Sequence, residues 1–479
     1  MSFSSLEIGK RALLAQRLGL DVTSNNIANV NTPGYSRRAA ILKETNPLKI
    51  NGNYLGTGVL YDKLQSFRES YYDREVRNSM ARLSNYGTQA SFYRRVETVL
   101  AEPGDNGVAD LITNFFKTFD ELALKPESIS IRSYLTTQSQ TLTDRINRIA
   151  YGMQDLRNEA LAKVNSNVTE INRLATQITE INKQIAGSGT DSANSALTYI
   201  DTRENLLEEL SKYVDINVGK NDDGTVNVFI NGIDLVTSTS SKELRATIVV
   251  NDVTGEQTVR LFKFDKAKNL ETDISTQGGE INANLQIFNV KMNEKYSGNE
   301  FSEAKDFHAF VRVFAQKVND MMMGGYGLDD ADGLPPMRRF FDPTDLELNA
   351  FNIRISDDIK NNPRDIPLSD SAGEPGNSSI AQAIARLSQT PDFFNNANPI
   401  EYFNGFLGKI GLIAREAENG YKTMGLINDQ LNSQRESIMG VNLDEEAISL
   451  IKYQKAFEAS SRIVSVTNEL LATIVNLGR

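Results

Sequence analysis

The chain has 479 residues, of which 40% are hydrophobic, so it is long enough for several domains with buried cores. A net charge of −11, with no cluster of lysine and arginine among aromatic residues, argues against a nucleic-acid partner. The absence of cysteine excludes disulfides and thiolate metal sites, and a single histidine leaves the usual zinc ligand sets and histidine-based triads unsupported.

The first predicted element is an amphipathic helix that ends near Asn31. Pro33 disfavours helical geometry at Thr32, and the Pro33-Gly34 pair fits a tight type II turn. Apolar residues recur every seven positions along this helix, as they do along a helix that packs against a partner helix. This N-terminal stripe consists of Leu6, Leu13, Leu20 and Ile27.

The next part of the chain reads mainly as helix. Residues 35–49 are polar and tend towards strand, and a helix is expected from about 63 to 100. A break at 103–107 precedes a shorter helix that ends at Pro126. Residues 135–187 then carry a strong helical pattern, which predicts a long helix in a bundle.

The period changes from helical to alternating between 214 and 282, where turn residues separate short apolar runs. This pattern predicts a block of β-hairpins. Helix is expected again over 283–323 and over 402–439. The loop-rich segment between these helices includes a short strand at 351–355, which we expect to pair with the β block.

The last forty residues read as one long helix with an apolar stripe. Such a stripe more often indicates an ordinary antiparallel helix pair within one chain. A seam between subunits is the alternative. A row of small and polar residues shifts the balance somewhat towards the seam, because a core within one chain rarely uses such residues whereas close helix packing does. That row is Ala447, Gln454, Ser461 and Asn468. The C-terminal stripe is Leu443, Leu450, Phe457, Val464 and Leu471, with Ile463 and Leu470 one position earlier.

Together these elements predict an α+β fold with a nested layout. The two terminal helices pair in a coiled-coil-like manner, a bundle of long helices lies inside them, and a mostly β domain is inserted in the bundle. The terminal domain comprises 1–45 and 436–479, the helical domain 46–212, 283–323 and 374–435, and the inserted domain 213–282 and 324–373.

The residues offer no candidate catalytic, cofactor-binding or metal site. His308 lies in an amphipathic helix and is expected to be structural. The acidic segment 329–333 lacks the ligand spacing of a calcium loop, and Gly405, Gly408 and Gly411 lack the strand and pattern of a dinucleotide site. No apolar run reaches membrane-spanning length. We therefore expect a protein that is not an enzyme, has no cofactor and does not insert in a membrane.

Both ends resemble a known family. Residues 24–37 are similar to the N-terminal signature of bacterial flagellar rod, hook and hook-associated proteins, and residues 440–446 and 453–460 are similar to the C-terminal one. Interior segments at 115–126 and 201–211 resemble the hook-associated members. The signature residues are Asn25, Asn26, Asn29, Thr32, Pro33, Gly34 and Tyr35.

The resemblance implies a structural protein that polymerises as a ring at the distal end of the hook and connects hook to filament. It implies the hook protein, a second junction protein, an export chaperone and the flagellar type III export apparatus as partners. The C-terminal stripe would be held by the chaperone in the cytoplasm and would contact other subunits after uncleaved export to the cell exterior. The alternative is another axial subunit, such as the second junction protein, a hook subunit or a rod subunit.

Overall fold

The computed structural model describes residues 2–477 except 51–52, 101–106, 189–192, 267–268, 344–346, 392 and 395. The predicted break at 103–106 and the last two residues lie outside this range. The described chain is mainly helical, with small separate sheets, which confirms the α+β class. The division into three domains with the stated bounds stays a prediction.

Helix α1 spans Ser2–Ala28 and is followed by the expected turn. The Tyr35 amide donates to the Thr32 carbonyl at 3.2 Å, and Gly34 has a φ of +75°, as the third residue of a type II turn requires. The turn redirects the chain into a long hairpin that lies along α1.

This hairpin corrects the prediction of a helix from residue 63. Strand β1 (Arg38–Glu44) pairs in antiparallel register with β4 (Val59–Ser66), from Arg38 opposite Ser66 to Glu44 opposite Val59. The short strands β2 (Leu48–Ile50) and β3 (Asn53–Leu55) continue the ribbon. Pairing with β1 overrides the local pattern in 59–66, so α2 begins only at Ser70.

Long helices build the body of the molecule. Helix α2 (Ser70–Leu100) packs along α10 (Pro399–Met439), and α4 (Ile129–Gly187) packs on α3 (Val108–Leu124) and α5 (Ala193–Tyr213). A capping box of Asn398 and Glu401, with proline at the first helical position, fixes the start of α10.

An aromatic cluster forms the centre of the helical core. It joins α3 to α7 (Glu303–Met322) and to a short strand, β11 (Phe341–Asp342). Ring centroids within the cluster lie about 5 to 6 Å apart, for example 5.5 Å between Phe115 and Phe314. Its fully buried members are Phe115, Phe116, Phe119, Phe310, Phe314, Phe340 and Phe341.

The predicted β block contains two antiparallel three-stranded sheets in its described part. One has the order β5-β6-β7 and the other β10-β9-β8. Asn231 and Gly232 both have positive φ, which is the geometry of the tight hairpin turn predicted there. The strands are β5 (Asn217–Lys220), β6 (Val226–Ile230), β7 (Ile233–Val236), β8 (Glu243–Val250), β9 (Gln257–Asp265) and β10 (Leu270–Ile274).

The remaining elements close the helical body. Strand β12 (Arg354–Ile355) pairs with β11 and packs on α4, so it does not return to the β block as expected. The aromatic core beside β11 accounts for this placement. The other helices are α6 (Gly279–Gln286), which continues into a π-helical turn at Ile287–Lys291, α8 (Asp357–Asn361), α9 (Ser379–Leu387) and α11 (Leu443–Leu477).

Asparagine side chains on helices clamp the backbone of neighbouring strands. Asn172 on α4 accepts from the Leu244 amide and donates to the Leu244 carbonyl, both at 2.8 Å. Such a clamp satisfies both polar groups of one strand residue, which a buried strand edge requires. The other pairs are Asn26 with Arg38, Asn182 with Val226, Asn289 with Val259, and Asn319 with Phe341.

Candidate assembly interface

Helices α1 and α11 form an antiparallel pair, as the terminal stripes predicted. Gly9 lies opposite Val464, and Gly19 lies opposite Tyr453. A Cβ atom added to Gly9 would lie 2.8 Å from Val464 Cγ2, and one added to Gly19 would lie 2.5 Å from Tyr453 Cε1. The two backbones therefore approach more closely than larger residues at these positions would permit.

Beside Tyr453 and Val464, mainly small and polar side chains are buried in the contact between the two helices. On α1 the buried positions from Ala15 onward recur every three or four residues, which places them on one face. On α11 the most buried side chains are also polar, with Glu446 only 2% exposed. The buried residues are Gly9, Ala15, Gly19, Thr23 and Asn26 on α1, and Glu446, Ser460 and Thr467 on α11.

The predicted stripes divide between this contact and the surface. All four residues of the N-terminal stripe, Leu6, Leu13, Leu20 and Ile27, are partly buried. In the C-terminal stripe Leu450, Val464 and Leu471 are partly buried, whereas Leu443, Phe457, Ile463 and Leu470 are exposed.

The row of small and polar residues predicted for close packing lies outside the contact with α1, so its packing against another subunit stays a prediction. Ala447, Gln454, Ser461 and Asn468 are all exposed. The row one residue earlier, which also repeats every seven residues, faces α1. It comprises Glu446, Tyr453, Ser460 and Thr467.

Helix α11 leaves a row of large apolar side chains uncovered. Leu470 is 57% exposed, and Ile474 is 59% exposed. Isolated exposed apolar residues are ordinary, but several along one helix mark an interaction surface. We call this set the outer row of α11. It comprises Ile448, Ile451, Ile463, Val466, Leu470 and Ile474.

The hairpin β1–β4 packs on α1, so that α1 contacts both the hairpin and α11. Gly58, at the far end of the hairpin, comes within 3.5 Å of Ile8 when a Cβ atom is added. This second contact was not predicted, since residues 48–66 were assigned to the helical domain. We refer to α1, the hairpin and α11 together as the terminal layer.

Asn26 connects three elements of the terminal layer. Its Nδ2 donates to the Arg38 carbonyl at 2.9 Å and to Glu446 Oε2 at 3.0 Å, and its Oδ1 accepts from the Tyr35 hydroxyl at 2.8 Å. The buried amide therefore joins α1 to the start of β1 and to the first turns of α11.

The other signature residues shape the loop after α1. Tyr35 Oη also lies 3.1 Å from Asn25 Oδ1, and the Thr32 hydroxyl donates to Asn29 Oδ1 at 3.1 Å. The Pro33 carbonyl accepts from Asn205 Nδ2 at 3.1 Å, which docks the loop on α5. The loop and the α10–α11 connection border a cleft of about 830 Å³.

Charged residues that sequence reasoning missed surround this loop. Arg37 pairs with Glu446 at 2.7 Å and with Glu445 at 2.9 Å. Arg38 pairs with Asp201 on α5 at 2.8 Å, and both side chains are buried. Arg38 and Asp201 are 163 positions apart in the sequence. Nothing in the local pattern around either residue signals the pair.

No group of three or more histidine, cysteine, aspartate or glutamate residues suited to a metal ion occurs among the described residues. His308 is buried, and its Nδ1 accepts a hydrogen bond from the Ala350 amide at 3.2 Å. Burial lowers the pKa of His308 to about 4, which keeps the ring neutral at pH 7. Within the described helices, none is long and apolar enough to cross a membrane.

Family models match three parts of the chain. The model of the flagellar hook-associated protein FlgK helical domain matches residues 93–337. The flagella basal body rod protein model matches 6–35, and the flagellar basal body rod FlgEFG C-terminal model matches 433–477. The two rod-protein matches therefore fall on α1 with its signature loop and on α11.

Relatives match over nearly the full length. Flagellar hook-associated protein 1 of Bacillus subtilis is 27% identical, over 99% of this chain and 98% of that protein. The protein of the same name from Salmonella typhimurium is 22% identical, over 97% and 98%. A solved structure of the flagellar hook junction protein FlgK from Burkholderia pseudomallei aligns with a TM-score of 0.47 and 19% identity, over 56% of this chain and 46% of that one.

Paired terminal helices that match rod-protein models at both ends define an axial structural protein of the bacterial flagellum. The match of residues 93–337 to the FlgK helical domain identifies the particular family among these axial proteins. The chain belongs to the family of flagellar hook-associated protein 1, FlgK. It is a structural protein of the hook–filament junction, and it assembles with the hook and other flagellar components.

Proposed function

We propose that this chain polymerises as a ring at the distal end of the hook, with the outer row of α11 as the contact between subunits. The observation that carries the proposal is that α11 packs closely on the glycines of α1, through Tyr453 and Val464, while the large apolar side chains of the outer row stay exposed. Neighbouring copies that cover the outer row would remove this apolar surface from water, which is favourable.

The proposal places α1 and α11 in the wall of the axial tube. The ring would contact the hook protein on one side and the second junction protein on the other, and thereby connect hook to filament. Two residues of the C-terminal stripe, Ile463 and Leu470, belong to the outer row, and the exposed Leu443 and Phe457 are proposed as further subunit contacts beside it. Val464 instead contacts Gly9 within the pair, and the partly buried Leu450 and Leu471 stay proposed as contacts of the seam.

The same surface needs protection before assembly. We assign it to a cytoplasmic export chaperone, which would cover the apolar side chains of α11 until the flagellar type III apparatus exports the uncleaved chain to the cell exterior. A helix with an exposed apolar face fits the groove-binding mode in which a partner receives an amphipathic helix. The proposed role is structural, with no catalysis and no cofactor.

The test is a double substitution of the outer row, Leu470→Asp with Ile474→Asp, in cells that produce no other copy of the protein. We expect hooks without filaments by electron microscopy and loss of swimming in soft agar. Both side chains are exposed, so circular dichroism of the purified variant should match the parent. Gln454→Asp, which adds a charge at an exposed polar position of α11, is the matched control.

Normal filaments on cells with the double variant would contradict the proposal. Val464→Asp is a poorer test, because Val464 contacts Gly9 and its substitution would disrupt the α1–α11 pair itself.

A further inference from the structure

The terminal layer and the helical body meet at a boundary that is polar where it is buried. Two chain segments cross it, residues 67–69 between β4 and α2 and residues 440–442 between α10 and α11. The Arg37 backbone ties both crossings together, because its amide donates to the Met439 carbonyl at 2.9 Å and its carbonyl accepts from the Phe67 amide at 3.0 Å.

Asp201 of α5 receives the side chains that reach across this boundary. Arg38 pairs with Asp201 Oδ2 at 2.8 Å, and the Ser36 hydroxyl donates to Asp201 Oδ1 at 2.7 Å. Arg68, on the first crossing segment, lies 3.7 Å from Asp201 and 3.5 Å from Asp73 of α2. Ser36, Arg38, Asp73 and Asp201 are all less than a tenth exposed.

Arg435 extends the cluster to α10, next to the second crossing. Its guanidinium pairs with Glu208 of α5 and lies 4.0 Å from Asp73. Asp73 therefore lies near two arginines, Arg68 of the first crossing and Arg435 of α10. The cluster thus connects the terminal layer to α2, α5 and α10 at the point where the chain passes between them.

Compared with well-packed apolar residues a buried ionic cluster adds little net stability, because removing the charges from water costs about as much as their attraction returns, although loss of one partner leaves a buried charge unpaired. What such a cluster supplies is geometry, since each guanidinium must meet its carboxylate at a fixed distance and direction. Apolar contacts are not directional in this way, so two surfaces joined only by apolar contacts can shift relative to each other. A junction subunit that contacts two different neighbours needs one defined shape.

From these contacts we infer that the cluster centred on Asp201 is an orientation lock, which holds the terminal layer at one angle to the helical body. The lock acts on shape rather than on secondary structure. Its removal leaves every helix in place and releases the angle between the two parts.

The absence of cysteine allows a direct measurement. Nitroxide labels at Gln454→Cys on α11 and Ser166→Cys on α4, both exposed positions, report the distance between the two parts by pulsed electron paramagnetic resonance. In the parent chain, at concentrations where it is monomeric, we expect a narrow distribution of distances between the two labels. Asp201→Asn should broaden the distribution roughly twofold or add a second distance, because it removes the charge shared by Arg38 and Arg68.

Arg38→Met removes the opposite partner of the same pair at similar volume and should give the same broadening. Glu209→Gln is the matched control, since Glu209 is also on α5 and pairs with Arg173, but at an exposed site. It should leave the distance unchanged, and circular dichroism should be the same for all variants. A narrow distance in both lock variants, or a broad distance in the parent, would overturn the inference.

Discussion

Gly19 shows how one residue sets the distance between two helices. Its missing side chain leaves room for the Tyr453 ring, and the neighbouring small residues of α1 continue the same face. The sequence revealed the apolar stripe because large residues dominate a periodic pattern. It did not reveal that the contact itself uses glycine, alanine and threonine, since small residues carry no periodic signal of their own.

Gly19→Ala should weaken the α1–α11 pair, because the new methyl group would force the Tyr453 ring to move. Overpacking of this kind costs about 1–3 kcal/mol. Hydrogen exchange of the α1 amides, followed by mass spectrometry, measures the lost stability of the α1–α11 pair as faster exchange in α1.

Gly408→Ala is the matched control, because nothing lies within 4 Å of a Cβ atom added there. Exchange in α10 should slow, since alanine favours helix over glycine by about 0.5–1 kcal/mol. If hydrogen exchange in α1 were unchanged in Gly19→Ala, the contact would accommodate the added methyl group and the prediction would be wrong.

Glu303 is a buried carboxyl group whose proton affects stability. Tyr93 Oη donates to its Oε1 at 3.0 Å, and burial raises its pKa from 4.5 to about 7. Lys291 favours the ionised form and Asp306 opposes it. Because the folded pKa lies above the unfolded one, the contribution to stability is complete below pH 4.5 and is lost as the pH rises through about 7.

Glu303→Gln should therefore be more stable than the parent at pH 8, by on the order of 1–3 kcal/mol, and similar to it at pH 5. The amide keeps an acceptor for Tyr93 without a charge. Urea unfolding of the helical core at both pH values measures the difference. Glu97→Gln, at an exposed position of α2, is the control, and equal differences at both pH values for Glu303→Gln would refute the assignment.

At the scale of elements, the helices and hairpins were largely predictable because their signals are local. The alternation in 226–230 and the turn residues Asn231 and Gly232 define a hairpin without reference to the rest of the chain. Strand β4 was missed because its partner β1 supplies the pairing from outside the local window. The asparagine clamps were missed for the same reason, since each joins residues far apart in sequence.

Asn172→Asp should loosen the contact of β8 with α4. An aspartate cannot donate to the Leu244 carbonyl, and leaving a buried acceptor unpaired costs about 1–3 kcal/mol. Hydrogen exchange of the β8 amides should accelerate about tenfold or more. Asn165→Asp, at an exposed position two turns earlier on α4, should leave exchange unchanged. Equal effects of the two substitutions would refute the clamp.

For the whole molecule, the terminal stripes predicted that the two ends of the chain meet, and α1 and α11 do pair. The direction in which the terminal layer attaches to the body was not predictable. It depends on Arg38, Arg68 and Asp201, whose spacing in sequence carries no pattern. Long-range ionic contacts of this kind become visible only once the helices that carry them are placed.

The asparagine clamps also bear on how the β block can change. Asn172, Asn182 and Asn289 hold β8, β6 and β9 through backbone amides and carbonyls rather than through strand side chains. The backbone attachment itself therefore does not depend on which side chain the strand residue carries. Val226, Leu244 and Val259 are buried in the core, so the strand positions that are free to diverge, or to be exchanged in a chimera, are the exposed ones, such as Ile248 and Val250.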